Sequence, residues 1–401
     1  MMPSNGISPL TGLRVVDASR VLAGPLCGQM LADMGADVIK IESLSGDENR
    51  KWGPFNPDQE SCNYLSVNRG KHGVALNLKD DRARDILYGL IAEADIFISS
   101  FLPKTAAALG VSDDFLKEKF PNLIIVSISA FGHKGEFANS PGYDTLAQAF
   151  SGIMSITGEA NGMSVRSGVS FVDLTTGVYA YAGALTALEH RRKTGAGTVV
   201  RVSLMETAIS MLGYHAVGWL EAGVLPFKQG SGLWHLVPYQ AFKCSDGEIL
   251  TGALNDHTWL KLCEALSLDD FRAQEAFRTN EGRVENRDLI VDRLQGLFET
   301  ETVTYWVDVL EKHDVPVAVV NTIDKSLAHP QVIDNGMILE LNKKSGRKVR
   351  LLKSAFSLDD ARCRSEIAPP ALGEHSAAIL QDKLGYSEEH IAFLKKEGVF
   401  K

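Results

Sequence analysis

Leu13-Arg14-Val15-Val16-Asp17, the turn Ala23-Gly24-Pro25, the segment Leu26 to Met34, and Gly35 followed by Val38-Ile39-Lys40-Ile41 make up the stretch that decides the fold. The first run is short and apolar and reads as a buried strand. After the small-residue turn, Leu26, Met30 and Met34 recur every four residues, the spacing of one helical face. Gly35 is placed to end that helix as a C-cap, and Val38 to Ile41 is a second β-branched run. Strand, helix and strand in this order form the unit of a parallel α/β sheet.

The pattern repeats outward. Val74 to Leu78 reads as a strand, Asp81 to Ala94 as a helix, Ile96 to Ile98 as a strand, and Leu123 to Ile128 as a central strand buried on both faces. Two long helices are expected, Leu174 to Arg192 and Ser203 to Leu220, separated by the turn Lys193 to Gly197 and the strand Thr198 to Val202. Residues 1–222 thus read as an open, Rossmann-like α/β domain. The glycine-rich segment Gly223 to Gly232 reads as a linker into a smaller α+β domain spanning 223–330. That domain opens with a hairpin, Ala241 to Leu254, turning at Asp246-Gly247. Helices at His257 to Leu266, Asn286 to Thr300 and Thr304 to His313 follow, then a strand at Pro316 to Val320. The last part, 331–401, carries strands within Met337 to Leu358 and two short helices, Glu374 to Leu384 and Ser387 to Glu397.

A chain of 401 residues exceeds what one core usually organises, which also points to two domains. With 45% hydrophobic and 23% charged residues it has the composition of a soluble globular protein. A net charge of -9 argues against nucleic acid as a partner, but a local cluster of cations and amides still suffices for an anionic ligand. Cys27, Cys62, Cys244, Cys263 and Cys363 are scattered, with no C-x-x-C pair, and read as reduced thiols of a cytoplasmic protein. Met1 to Leu10 lacks the pattern of a signal peptide, and no apolar run is long enough to span a membrane, so no membrane partner is expected.

Asp173 is the most informative residue. It follows Gly168 to Val172 and precedes a long helix, so it reads as an N-cap. A helix N-terminus favours the ionised carboxylate, which can attack an activated acyl carbon; a plain cap is the bland alternative. Asn68-Arg69-Gly70-Lys71 sets two cations around a glycine, which suits phosphate or simply a solvated turn. Lys104 and Lys134 are further loop cations, and the amides of Ala23-Gly24-Pro25 open a helix towards a potential anion. Tyr143-Asp144 follows Pro141-Gly142 and precedes a helical run, where Asp144 also reads as a cap. Gly230 to His235 is a flexible segment carrying Trp234 and His235, either a lid or a linker. His72, His190, His257 and His375 have no partners at metal-ligand spacing, so no metal is assigned.

These residues, taken in order, resemble the class III CoA transferases (the CaiB/BaiF-like family) and the related acyl-CoA racemases. The resemblance rests on Gly12-Leu13-Arg14-Val15-Val16-Asp17, Val21-x-Ala23-Gly24-Pro25, Gly35-Ala36-Asp37-Val38-Ile39-Lys40-Ile41-Glu42 and Gly46-Asp47. It continues through Asn68-Arg69-x-Lys71, Gly142-Tyr143-Asp144, Asp173-x-x-x-Gly177, Lys193-Thr194-Gly195-x-Gly197, Pro238-Tyr239-x-x-Phe242, Asp246-Gly247 and Leu372-Gly373-Glu374-His375. It implies an α/β large domain built from both chain ends, so that 331–401 returns to it, a smaller middle domain, and a homodimer whose chains interlock. It implies Asp173 as the nucleophile, passing through a mixed anhydride and an aspartyl-CoA thioester. Tyr143, Asp144, Trp234 and His235 are implied as active-site wall. Val21, Leu22, Ala23, Arg69, Lys71, Leu76, Ser100, Phe101 and Lys104 are implied to face the coenzyme. Coenzyme A and its thioesters enter as substrates beside small carboxylic acids, and no permanently bound cofactor is expected.

Within the family, the racemases carry a histidine where this chain has Tyr143, a poor base near neutral pH. That favours transfer over racemisation. Asn161-Gly162 to Asp173 and Pro238 to Phe242 look most like the dicarboxylate branch, to which succinate–hydroxymethylglutarate CoA transferases belong. The chain departs from the formyl-CoA transferases at Ser43 and Ala108, which stand where those enzymes have coenzyme-contacting arginines. Leu233-Trp234-His235-Leu236 replaces their run of glycines. Two other functions remain open on these residues: an α-methylacyl-CoA epimerase using Asp144 or His235 as base, and a non-catalytic acyl-CoA binder in which Asp173 is only a cap.

Overall fold

Six short runs rich in β-branched residues line up as one parallel sheet. The computed structural model describes residues 7–359 and 363–401, so most of the segment read for a signal peptide lies outside the described residues. The strands are β1 (Arg14–Ala18), β2 (Asp37–Glu42), β3 (Lys71–Ala75), β4 (Ile96–Ser99), β5 (Ile124–Ser129) and β6 (Val199–Ser203). Their spatial order is β3-β2-β1-β4-β5-β6, with every neighbouring pair parallel. This is a doubly wound sheet whose order reverses between β1 and β4, where a crevice opens beyond the carboxyl ends of the strands. Val15, Val16, Val38, Phe97, Ile98, Ile124 and Val126 are at most 2% exposed, as strands covered by helices on both faces must be.

The chain forms two units. The first takes residues through Ser151, then Gly168–Met211 and Ile333–Lys401. It holds the six-stranded sheet and an antiparallel pair, Ile338–Asn342 with Lys348–Leu352. The chain end returns to β3: the Lys401 amide donates to the Ala75 carbonyl at 3.0 Å and the Asn77 amide to that of Val399 at 2.9 Å. The second unit takes Gly152–Ser167 and Leu212–Val332. Its sheet is antiparallel, Tyr239–Lys243, Glu248–Gly252 and Val317–Val319, over a core that includes Phe242, Trp259, Phe298 and Trp306. No helix among the described residues is long and apolar enough to cross a membrane.

Three sequence expectations change. The helix expected over Ser203 to Leu220 is two helices, Leu204–Met211 and Tyr214–Ala222, because Gly213 takes a φ of 53° and breaks the hydrogen-bond ladder. The strand expected at Val74 to Leu78 begins at Lys71, which pairs with Val38; a lysine opens a buried strand here because its charge is satisfied inside the protein. Lys104 lies in the first turn of a short helix, Pro103–Ala108, not in a loop; Pro103 starts that helix without needing an amide partner.

One glycine contact sets the depth at which the Phe171–Thr194 helix lies on the Ala23–Asp33 helix. A Cβ on Gly177 would stand 2.6 Å from the Ala23 carbonyl oxygen and 3.0 Å from Leu26 Cβ. Gly177→Ala is therefore expected to destabilise the fold by about 1–3 kcal/mol, since overpacking outweighs the helix propensity gained. A thermal melt of the variant should show a lower Tm; an unchanged or higher Tm would mean that the two helices separate without cost.

Candidate active site

A cavity of about 160 Å³ opens where the sheet order reverses. Arg20, Val21, Ala23 and Gly24 reach it from the end of β1, Ser100 to Pro103 from β4, and Ser129 and Ala130 from β5. Ile128, Pro141, Gly142, Tyr143, Asp173, Leu204 and Glu48 complete the wall. The Rossmann-like expectation thus places the cavity where such sheets bind ligands.

The turn after β1 is held in an unusual shape. Val21 has φ 70°, a left-handed conformation that a β-branched residue adopts only under constraint. Its amide donates to both carboxylate oxygens of Asp47, at 3.1 and 3.2 Å, and its carbonyl accepts from Asn49 Nδ2 at 2.5 Å. Asp47 is itself fixed by Lys40 Nζ at 3.2 Å, and its own amide donates to Glu42 at 2.9 Å. Arg50 grips that Glu42 carboxylate at 2.8 and 2.7 Å. The Ala23–Asp33 helix begins right after this turn with no side-chain cap, and Ala23 and Gly24 lie on the cavity wall. Its first amides are therefore available to an anionic oxygen there.

Asp173 is the third residue of the Phe171–Thr194 helix, whose N-cap is Ser170; this corrects the expectation that Asp173 caps it. The capping is done from another helix. Asp144, first residue of Asp144–Ser151, accepts from the Val172 amide at 2.8 Å and the Asp173 amide at 3.2 Å. Its other oxygen accepts from Gln148 Nε2 at 2.5 Å. Asp144 thus acts as a cap, but on a distant segment. Asp173, 7% exposed, has no hydrogen-bond donor to its carboxylate among the described residues. Burial first, and the neighbouring Asp144 charge second, push its carboxyl up to about 7. Two adjacent carboxylates are divided in role: one is saturated by amides, and the other is left desolvated and basic at a cavity wall.

Of the other expected site residues, Val21, Ala23, Ser100, Phe101 and Tyr143 line the same cavity as Asp173. Tyr143 is exposed and packs edge-on against Trp52 at 6.2 Å. Leu22 is buried at the helix start, and Leu76 is buried beside the chain end, bridging to Phe400. The phosphate expectation for Arg69 and Lys71 is corrected, because both cations are spent inside the protein. Arg69 makes a buried ion pair with Asp33 and donates to the Leu352 carbonyl at 2.7 Å. Lys71 donates to Asp17, the Pro25 carbonyl and Asn68 at 2.8, 2.7 and 2.9 Å, which uses all its donors. Lys104 is exposed but does not line the cavity. Trp234 and His235 belong to the second unit, where their rings stand 5.1 Å apart and His235 meets Tyr214 at 5.6 Å. Arg287 holds that segment by donating to the Leu233 and Trp234 carbonyls. The sequence reading missed Arg20 and Ser129; only the strand order, which no single sequence displays, brings them to Asp173.

Comparison with known proteins shows the family and the fold. The family model described as CoA-transferase family III matches residues 10–376. The human succinyl-CoA:glutarate CoA-transferase is 36% identical over 98% of this chain and 90% of its own length. The succinate–glutarate CoA-transferase of Agrobacterium fabrum is 33% identical over 93% of this chain and 95% of its own. Among solved structures, a CAIB/BAIF family protein from Brucella suis superposes with a TM-score of 0.85 at 33% identity, covering 94% of this chain and 99% of that one.

The Asp144–Asp173 arrangement has a measurable pH signature. Unfolded, Asp173 releases its proton near the ordinary 3.8; folded, it keeps it to about 7. Stability is therefore untouched below the lower value, falls as pH rises between the two, and stays reduced above. Asp173→Asn should remove that loss, on the order of 4 kcal/mol at most at pH 8, and nothing at pH 4. Denaturant melts at both pH values check the difference. Asp144→Asn should bring the Asp173 midpoint down, though not to 3.8, because burial is the larger cause. A carboxyl NMR titration reads it.

Proposed function

The chain belongs to CoA-transferase family III, and we propose that it moves coenzyme A from an acyl-CoA donor, succinyl-CoA foremost, to a small carboxylic or dicarboxylic acid through a thioester on Asp173. It is an enzyme of the transferase class. The observation that carries the mechanism is the Asp173 carboxylate itself, desolvated, without a donor partner, raised to about 7 and lining the cavity. A carboxylate of this basicity is half ionised at neutral pH and is a better nucleophile than an ordinary surface aspartate.

An Asp173 oxygen attacks the thioester carbon, and the C–S bond breaks to give a mixed anhydride and free CoA thiolate. The thiolate attacks the Asp173 carbonyl carbon of that anhydride, which releases the donor acid as its carboxylate and leaves aspartyl-CoA. The acceptor carboxylate attacks this thioester, and the thiolate departs again. Its return to the acceptor's acyl carbon yields the new acyl-CoA and restores Asp173. No proton is gained or lost, so no general acid is needed. Each tetrahedral oxyanion requires donors, and the uncapped amides at the start of the Ala23–Asp33 helix are our candidates. Val21, Ala23, Ser100 and Phe101 are proposed to face the coenzyme, with Lys104 nearby on its helix.

Two relatives are named for succinate or succinyl-CoA with glutarate, which supports a dicarboxylate exchange. The epimerase alternative needs a base beside Tyr143, and the oxygens of Asp144 are taken up by two amides and Gln148. Coenzyme A is read as a substrate and no cofactor as permanently bound. We further propose a homodimer. Tyr214–Ala222 buries none of its residues, and Trp219 and Leu220 are 54% and 76% exposed, more apolar surface than an isolated helix face usually leaves. A cytoplasmic location is kept with this reading, on the five unpaired cysteines.

Incubation with succinyl-CoA followed by hydroxylamine or borohydride should modify Asp173, as read by peptide mass spectrometry. Asp173→Ala should lose the adduct and at least about 10³ in turnover. Single-turnover rates should rise with pH to a plateau, with a midpoint near 7 set by Asp173. An unmodified Asp173 in an otherwise active enzyme would sink the covalent mechanism.

A further inference from the structure

Arg20 is the one lysine or arginine among the described residues that line the Asp173 cavity. Its side chain is exposed and has neither an ion-pair partner nor a hydrogen-bond acceptor among the described residues. Every other cation discussed for the site is committed elsewhere or off the wall: Arg69 and Lys71 are paired inside, and Lys104 and Lys134 are not among the lining residues. The only other acid on the wall, Glu48, stands 3.5 Å from Lys51.

The backbone that carries Arg20 is fixed more firmly than a surface loop. Its amide donates to Ser100 Oγ at 3.0 Å, tying the end of β1 to the end of β4. The next residue is Val21, clamped in its left-handed conformation by Asp47 and Asn49. A strained turn and an unpaired guanidinium side by side at a cavity mark a preorganised anion contact. The position decides which anion. Arg20 stands on the same wall as Asp173, where the acyl group reacts on the reading above, so the anion it meets is carried by the acyl part and not by the far nucleotide end of coenzyme A.

Resting on the transferase reading above, we propose that Arg20 anchors the free, non-reacting carboxylate of a short dicarboxylic acid while the other carboxyl group meets Asp173. A guanidinium suits this task, since its two parallel N–H groups match a carboxylate. A monocarboxylate of equal length would leave Arg20 unpaired and bind less well, so Arg20 sets the preference for diacids over monoacids.

The test uses glutarate and pentanoate as probes, with equilibrium binding by calorimetry on the intact protein. Wild type should bind glutarate more tightly than pentanoate. Arg20→Gln should weaken glutarate about ten- to a hundredfold, while pentanoate and free coenzyme A stay within about threefold. Arg20→Lys should fall between, keeping the charge but not the paired geometry. In turnover, the glutarate-to-pentanoate ratio of kcat/KM should drop by the same factor. A wild type without preference for glutarate overturns the proposal, and so does equal loss of both acids. Lost coenzyme A affinity with unchanged glutarate binding also overturns it, and reassigns Arg20 to a coenzyme phosphate. Because binding is read without chemistry, and the Asp173 adduct is read separately, failure here is distinct from failure of the covalent mechanism.

Discussion

Two lysine ammonium groups with no exposed surface, Lys40 and Lys71, are the constraint around which the cavity end of the sheet is organised. A buried charge costs several kcal/mol unless it is paired and fully hydrogen-bonded, so each ammonium dictates where its acceptors must stand. Lys71 ties the end of β1, through Asp17, to Pro25 in the following helix and to Asn68 just before β3. Lys40 ties β2 to the Ser19 carbonyl and to Asp47. Burial pushes Lys71 down to about 8, while Asp17 stays below the ordinary carboxylate range because Lys71, Lys40 and the Ser19 hydroxyl together outweigh its burial. The segment from Asp17 to Pro25 is thereby pinned at both ends and in the middle. It cannot relax independently of the sheet, and it is the segment that supplies Arg20, Val21 and the first helical amides to the cavity.

The same accounting of buried charge, run in the opposite direction, explains Asp173. Where the lysines were given partners, Asp173 was given none, and its neighbour Asp144 received the two amides that a capping aspartate would normally take for itself. The helix terminus is satisfied, so the fold does not depend on Asp173 being charged. On the mechanism proposed above, a carboxylate that the structure does not need as an anion is free to pass through an anhydride and a thioester without unravelling the helix that carries it. Asp144 bears the structural role, which leaves Asp173 free for the chemical one proposed above.

Much of this was legible in the sequence, for identifiable reasons. The β1–helix–β2 unit shows in the spacing of Leu26, Met30 and Met34 and in the β-branched run at Val38, because hydrophobic period survives any tertiary context. The buried lysines did not show. Lysine is almost never fully buried, so Lys71 and Arg69 read as a solvated or phosphate-binding turn, and only the positions of Asp17 and Asp33 reveal them as interior ion pairs. Asp173 showed as a cap because a carboxylate before a long helix looks the same whether it caps or reacts; the difference is made by Asp144, 29 residues earlier. Arg20 did not show at all, since its place beside Asp173 follows from the strand order, and that order is a long-range property of pairing.

Val21 tests whether the site was shaped for stability or for its ligand. It is the only β-branched residue among the described non-glycine residues with positive φ. The strain of such a conformation is on the order of 1–3 kcal/mol. A glycine would remove it, but would add back about 0.5–1 kcal/mol through the greater freedom of the unfolded chain. Stability alone therefore favours glycine or is nearly indifferent. A valine is held there instead, against its own preference, by Asp47 and Asn49, two residues that do not themselves line the cavity. Its side chain forms part of the wall beside Arg20 and Ala23. The chain thus accepts a local cost to put an apolar surface next to the guanidinium, and an apolar flank is what strengthens a charged contact by keeping water from competing for it.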